Sequence, residues 1–172
     1  MKKIAQLIVL LIGINLSGQA QDEALVKDCI NSYLDGITQG NAEKLTKAFH
    51  PQAMLRTVNA ATAKMQEFPV ATFISKTPQG GVQAKATLIS YSLVGQSAVA
   101  TVELAFADFK YVDYLSLLKF GGEWKIVCRV FSKADLSEQP INGGKVTASV
   151  AADPKQAGKK AAKPKVKTDD GW

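Results

Sequence analysis

The sequence has very little of the residue chemistry that marks metal sites and activated nucleophiles. It contains two cysteines, Cys29 and Cys128, and a single histidine, His50, and their spacing fits no metal-ligand pattern. It also lacks a phosphate-cradling glycine loop and a Gly-x-Ser-x-Gly nucleophile elbow. These absences argue against a metal site, a nucleotide-binding P-loop and a hydrolase of the serine-elbow type. The sequence predicts no metal and no cofactor.

A hydrophobic run long enough to span a bilayer is also missing. Met1–Lys3 is positively charged, Ile4–Leu16 is apolar and Ser17–Ala20 consists of small and polar residues. The apolar run falls short of the ~20 residues that a membrane span needs. This layout predicts a signal peptide over residues 1–20, with cleavage after Ala20, and an exported protein that is periplasmic or secreted. A membrane anchor is the alternative interpretation.

The basic charge of the chain does not belong to its predicted domain. Residues 21–144 carry twelve basic and twelve acidic residues, whereas the tail over residues 145–172 carries seven lysines and three aspartates. A neutral domain argues against nucleic acid as a partner. The Lys/Ala/Pro-rich tail has no apolar periodicity and is predicted to be disordered. Its lysines are suited to contact an anionic surface, and a merely solvated tail is the alternative.

The two cysteines allow two interpretations. In an exported protein they could form a disulfide, because that compartment is oxidising. Cys29 lies on a predicted helix and Cys128 on a late strand. The pattern favours the second interpretation, in which both are buried free thiols, since free cysteine packs as a small apolar side chain.

Apolar spacing predicts helices in the first half of the domain. A stripe with spacings of three and four marks a helix over Asp22–Gln39, and Asn41 caps a second helix that His50-Pro51 ends. Ala53–Val58 is predicted as a short strand. Phe68–Lys76 is predicted as either a third helix or a buried run. The stripe of the first helix consists of Val26, Cys29, Ile30, Tyr33 and Ile37.

The second half alternates with a period of two, which predicts strands. Gly121-Gly122 between two apolar runs is a strong hairpin signal, because glycine reaches the positive φ angles of tight turns. The apolar residues occur in both parities of these strands, so both faces of the sheet need cover. Helices can cover one face, and a second subunit is the natural candidate for the other. The four predicted antiparallel strands are Gln83–Leu93, Ser97–Phe106, Lys110–Phe120 and Trp124–Phe131.

Three groups of residues carry a likeness to a known superfamily: Tyr33–Gly36 with Gly40-Asn41, Ala48–Pro51 with Ala53, and Asp113–Leu115 running into Leu118-Lys119 and Gly122–Val127. The chain resembles the cone-shaped nuclear transport factor 2-like proteins, which include ketosteroid isomerases and polyketide cyclases. It looks most like their exported "putative lumazine-binding" branch, over roughly residues 21–132. The resemblance implies an α+β fold in which N-terminal helices pack on a curved antiparallel sheet. It also implies a pocket between helices and sheet, and a homodimer formed through the sheet.

The resemblance does not extend to the isomerase reaction. That chemistry needs a general base beside an oxyanion hole made of a tyrosine and a protonated acid. Tyr33 falls where the family has its oxyanion tyrosine, but Thr57 falls at the base position and Ser116 at the acid position. Neutral threonine is no base near pH 7, so that reaction is not expected.

Another acid–base site is conceivable from the remaining polar residues. If His50, Asp113 and Tyr33 met in the pocket, they would be the candidate catalytic residues, with a His–Asp pair as proton shuttle. The plainer alternative makes His50 a surface residue at a helix end. The plainer alternative for Asp113 is a structural ion pair with a basic residue such as Arg129, because a buried acid needs a partner. Glu103 has the same ambiguity.

The function predicted from the sequence is non-catalytic binding of a small apolar or aromatic molecule in the cone of an envelope protein. Aromatic side chains in the domain could stack on such a ligand, although ordinary core packing is their alternative role. One rival function is a pocket enzyme with acid–base chemistry, and another is a scaffold whose cone is filled by its own side chains. The predicted ligand-binding residues are Tyr33, Phe73, Tyr91, Glu103, Asp113 and Trp124.

Overall fold

The structure, a computed structural model, describes the backbone of residues 2–139 and the side chains of residues 18–139. The predicted tail lies outside the described residues. Three helices and six strands make up the described part, and no helix in it is long and apolar enough to cross a membrane. The elements are α1 (Lys2–Gln39), α2 (Ala42–Ala48), β1 (Phe49–Asn59), β2 (Lys64–Pro69), α3 (Val70–Lys76), β3 (Lys85–Val94), β4 (Ser97–Ala105), β5 (Lys110–Phe120) and β6 (Glu123–Ala134).

The six strands form one sheet in the order β2-β1-β6-β5-β4-β3, with the helices on one face. All neighbouring strands are antiparallel except β1 and β6, which run parallel. The predicted α+β class and the four-strand meander are therefore confirmed, while the sheet is mixed rather than wholly antiparallel. Periodicity along one strand carries no information about the direction of a partner seventy residues away, so the parallel pair was not foreseeable.

The helices follow the prediction with two differences. Helix α1 begins at Lys2 rather than at Asp22, so the predicted signal segment and the first domain helix form one continuous helix. The stripe predicted for this helix is buried from Val26 to Ile37. Phe68–Lys76 divides at Pro69, which ends β2 and precedes α3. Strand β2 was not predicted, because its residues are almost all exposed and show no alternation.

Two glycines bring the end of α1 against the loop before β3. Gly40 has a φ of +65° and Gly81 a φ of +78°, and a Cβ on Gly81 would lie 2.0 Å from the carbonyl oxygen of Thr38. No other residue type fits such a contact. Immediately beyond it, the Val82 amide donates to the Ile37 carbonyl at 3.2 Å. The glycines thus fix the loop to the helix through backbone contacts.

The two faces of the sheet differ. The inner face is packed under the helices, and the outer face exposes large apolar side chains on five neighbouring strands. The exposed apolar residues of this outer face include Val58, Met65, Val99, Tyr114 and Val130. Both cysteines are free, as the sequence favoured; Cys29 is buried and Cys128 is half-buried on the outer face.

Candidate functional site

A largely apolar cavity of ≈ 300 Å³ opens between α3, the end of α1 and the inner face of the sheet. Its walls carry five aromatic side chains, and its charged lining residues are Lys76 from α3 and Arg129 from β6. The volume lies at the lower end of the range of small-molecule sites. The cavity is lined by Ile37, Leu55, Phe68, Thr72, Phe73, Lys76, Val82, Leu104, Phe106, Tyr111, Arg129 and Phe131.

A fully buried carboxylate lies beneath the cavity and joins helix α1 to the sheet. Asp113 of β5 has no exposed surface. Its Oδ2 accepts a hydrogen bond from the Tyr33 hydroxyl at 2.5 Å, and its Oδ1 accepts one from Nη2 of Arg129 at 2.9 Å. Tyr33 is itself completely buried, and Arg129 is 5% exposed. Asp113 therefore forms the ion pair with Arg129 that the sequence offered as the alternative to a catalytic role.

Aromatic rings hold the guanidinium of Arg129 in place. Its Cζ atom lies 4.1 Å from the ring centre of Phe131 and 5.4 Å from that of Phe73. Cation–π attraction strengthens as such a group loses water. Among the described residues, Nε of Arg129 is the buried side-chain nitrogen or oxygen atom that has no hydrogen-bond partner. The guanidinium is therefore fixed in orientation but not saturated.

Burial raises the pKa of Tyr33 well above its usual value of 10, and the neighbouring Asp113 carboxylate raises it further, against the opposing effect of Arg129. The phenol therefore stays protonated and acts as a hydrogen-bond donor near neutral pH. Asp113 does not line the cavity, because Tyr33 and Arg129 cover it. In this arrangement the carboxylate orients the guanidinium, and it offers no open oxygen to a molecule in the cavity.

The structure brings together only part of the predicted site. Phe73 lines the cavity, and Tyr33 and Asp113 lie directly behind Arg129. Tyr91 and Trp124 do not line it, because their polar atoms bond to the start of the domain: Tyr91 donates to Glu23 at 2.5 Å, and Trp124 donates to Asp22 at 3.3 Å.

Glu103 is also absent from the cavity wall. It forms an ion pair with Lys110 at 2.9 Å, and that lysine is 3% exposed. Glu103 therefore does not face this cavity, because strand alternation turns it to the side opposite Val102 and Leu104.

His50 does not meet Asp113, so the predicted proton shuttle is not assembled. The His50 ring stacks on Phe120 with 4.8 Å between ring centres, and its Nδ1 accepts a hydrogen bond from the Gln52 amide. Phe120 lies seven residues beyond Asp113 on β5, a distance of about 23 Å along an extended strand. The imidazole is thus at the opposite end of the strand from the carboxylate.

Several cavity residues were missed by reasoning from the sequence, although their spacing carried a signal. Phe131 and Arg129 are two positions apart on β6, and so share a face. Thr72 and Lys76 are four positions apart on α3, and so share a side of the helix. Sequence spacing shows which residues share a face, but it does not show which face borders a cavity. The packing of α3 on the sheet determines that.

Comparison with known proteins places the chain in a family. The model of the "Putative lumazine-binding" family matches residues 21–132. No curated protein sequence matches the chain.

Solved structures share the fold. An NTF2-like protein of unknown function from Shewanella baltica superimposes with a TM-score of 0.59 and 22% identity, covering 66% of this chain and 94% of that one. A second, from Silicibacter pomeroyi, gives 0.59 and 20%, covering 67% and 98%. A third, from Methylobacillus flagellatus, gives 0.57 and 24%, covering 65% and 91%. These likenesses confirm the NTF2-like α+β fold, and the chain belongs to the "Putative lumazine-binding" family.

Proposed function

We propose that the domain binds a small, mostly apolar molecule in the cavity and does not transform it. The observation that carries this proposal is the cavity itself: ≈ 300 Å³ of space against the inner face of the sheet, lined mostly by aromatic and aliphatic side chains. A cone filled by its own side chains, as the scaffold hypothesis requires, would leave no such space. Apolar walls stabilise an apolar ligand by removing its surface from water.

The absence of catalysis in this proposal rests on the state of the polar groups. Asp113 is covered by Tyr33 and Arg129, and burial keeps the Tyr33 phenol protonated. A general base must reach the proton that it removes. Neither Asp113 nor His50 meets that condition for a molecule in the cavity, because one is covered and the other lies at the far end of β5.

The test is native mass spectrometry of the full chain, purified gently from the cells that express it, combined with fluorescence of the neutral probe N-phenyl-1-naphthylamine. Thr72→Trp should fill the cavity, whereas Ser75→Trp puts the same ring on the exposed side of the same helix. We expect a reproducible extra mass or bound probe in the wild type and in Ser75→Trp, and neither in Thr72→Trp. A wild type that retains no mass and binds no probe would overturn the proposal, as would equal binding by both tryptophan variants.

We also propose that a second copy of the chain covers the outer face of the sheet. Val99, Tyr114 and Val130 are each about half-exposed there, and Val58 and Met65 are exposed further. Five strands about 4.8 Å apart and roughly 30 Å long offer an area on the order of 600 Å², close to the ~800 Å² that each partner of a stable interface buries. The exposed apolar side chains of this face can pack on the same side chains of a second copy, as a two-fold interface requires.

Sedimentation equilibrium tests this proposal. We expect a dimer for the wild type and a monomer for Val130→Lys, with Ser75→Lys on the exposed side of α3, across the sheet from this face, as the matched control. A wild-type monomer at micromolar concentration would contradict the proposed dimer.

Export remains a proposal supported by the pattern of residues 1–20. If it is correct, protein recovered from the producing cells has the mass of residues 21–172 and lies outside the cytoplasm. A full-length mass in the cytoplasmic fraction would contradict it. The proposed contact between the lysine-rich tail and an anionic surface would then be tested on the exported chain, by binding to vesicles of anionic lipid at low and high salt.

A further inference from the structure

The charges that border the cavity have one sign. Of its lining residues, Lys76 and Arg129 are charged and both are basic, while no aspartate or glutamate borders the space. The nearest acid, Asp113, is buried behind Arg129 and has its two oxygens occupied by Tyr33 and Arg129. A molecule in the cavity therefore meets positive charge only.

Arg129 retains hydrogen-bonding capacity beyond this ion pair. The Asp113 contact uses Nη2, and Nε has no partner among the described residues although the residue is 5% exposed. A buried donor without an acceptor is unusual in a folded protein, because it has lost water without replacement. Nε is itself enclosed, so it shows that the guanidinium is not saturated rather than where a ligand touches it. A ligand would meet Arg129 at the part of the side chain that borders the cavity.

The geometry of the guanidinium favours a fixed acceptor. The rings of Phe131 and Phe73 lie close to its Cζ atom, and the N–H groups of a guanidinium lie in its plane and point outward along its edge. Guanidinium edges bind carboxylates and other planar anions through paired N–H groups. Lys76, exposed at the end of α3, adds a second positive charge at the rim.

We propose that the ligand is an organic anion: an aromatic or aliphatic body that fills the apolar part of the cavity, with one acidic group that faces Arg129. This inference rests on the proposed binding function and adds the chemical class of the ligand. The Asp113–Arg129 pair is neutral as a whole, so Lys76 supplies the net charge that balances the anion. Tyr33 and Asp113 are positioning residues, because they act on the ligand through Arg129.

Two fluorescent probes with the same ring system test this proposal. N-phenyl-1-naphthylamine is neutral, and 8-anilino-1-naphthalenesulfonate carries one sulfonate on the same body. We expect the anionic probe to bind the full-length wild type about tenfold more tightly than the neutral one, because each favourable charge contact near a protein surface contributes a factor of this order. The preference should shrink in 1 M NaCl, where charges at the rim are screened.

Variants locate the source of the preference. Lys76→Gln should weaken the anionic probe about fivefold and leave the neutral probe unchanged. Lys64→Gln, which removes an exposed lysine at the far end of β2 from the cavity, should change neither. The double variant Asp113→Asn with Arg129→Gln removes the ion pair as a unit, and it should abolish the remaining preference while circular dichroism reports a folded chain.

The outcomes separate this inference from the proposed function. If both probes bind equally and Thr72→Trp displaces both, the cavity is a binding site but the anion proposal is wrong. If the anionic preference persists in both Lys76→Gln and the double variant, the charge recognition does not come from these residues, and the proposal is also wrong. If neither probe binds the wild type, the proposed function fails together with it.

Discussion

Two carboxylates join helix α1 to strand β5, and the two differ mainly in burial. Asp113 lies in the interior and accepts hydrogen bonds from an aromatic hydroxyl, that of Tyr33, and from a cation, Arg129. Asp22 lies near the surface at the other end of the strand. It also accepts a hydrogen bond from an aromatic donor and one from a cation, so the chemistry of the two clusters is the same.

The surface cluster has more water around it. Asp22 accepts from Lys119 at 2.6 Å and from the indole nitrogen of Trp124 at 3.3 Å, and the two charged side chains are 20% and 28% exposed. Water and salt screen such a pair, so its formation changes stability little. In the interior, by contrast, water does not solvate a charge that has lost its partner, so the unpaired charge destabilises the folded state. The two carboxylates therefore accept the same kinds of hydrogen bond, but the buried one affects the stability of the fold more than the surface one.

The largest expected effect is the loss of the buried carboxylate. Asp113→Ala leaves the Arg129 charge buried without its partner, and we expect a loss of about 3–5 kcal/mol in the free energy of unfolding. Urea denaturation followed by circular dichroism measures it. The double variant Asp113→Leu with Arg129→Met should recover most of that loss, because no charge is then left unpaired. A single variant as stable as the wild type would contradict the interior role assigned to the pair.

A smaller effect is expected when only the aromatic donor is removed. Tyr33→Phe takes one hydrogen bond from a buried carboxylate, which should reduce the free energy of unfolding by about 1.5–3 kcal/mol near pH 7.

The wild type and Tyr33→Phe should also differ in how their stability depends on pH. The pKa of Tyr33 is raised in the folded state, chiefly by burial, so above pH ~10 the unfolded chain releases a proton that the folded chain keeps. The stability that the neutral phenol provides is present below pH ~10 and is lost as the pH rises further. The wild type should therefore lose more stability than Tyr33→Phe between pH 9 and pH 11. Parallel curves for the two proteins would show that the phenol titrates normally.

The smallest expected effect belongs to the surface cluster. Contact with Lys119 lowers the pKa of Asp22, with a further contribution from the Trp124 hydrogen bond. Its contribution is therefore present above pH ~4 and is lost as the pH falls through the lowered pKa. Asp22→Asn should leave the melting temperature nearly unchanged at pH 7, and 0.5 M NaCl should remove any difference. A loss comparable to that of Asp113→Ala would mean that the two clusters do not differ as burial implies.

The sequence predicted the parts of this comparison that depend on local spacing. The stripe on α1, the hairpin at Gly121-Gly122 and the partnership of Asp113 with Arg129 are all present. These follow from helical period, turn chemistry and the need to neutralise a buried acid. They involve residues whose neighbours are set by a single element or one hairpin.

What could not be predicted depends on where separate elements pack. Trp124 and Tyr91 have the aromatic character of ligand-binding residues, yet they bond to Asp22 and Glu23 of α1. A meeting of His50 with Asp113 was one of two open interpretations, and the register of β1 against β6 places the imidazole beside Phe120 instead. Cross-element register is set by the whole core, and no short pattern in one sequence contains it.

The contact between Gly40 and Gly81 has a consequence for how this protein can change through evolution. Ile37 and Val82, which border the cavity, are held together by the backbone bond that this contact permits. A lineage that acquires a different ligand is free to exchange Phe73, Phe106 or Lys76, whose side chains can be replaced one at a time. It is not free to exchange either glycine, because the other chain segment occupies the space of a side chain. The two glycines are thus the positions of the site that tolerate substitution least, although neither would touch the ligand.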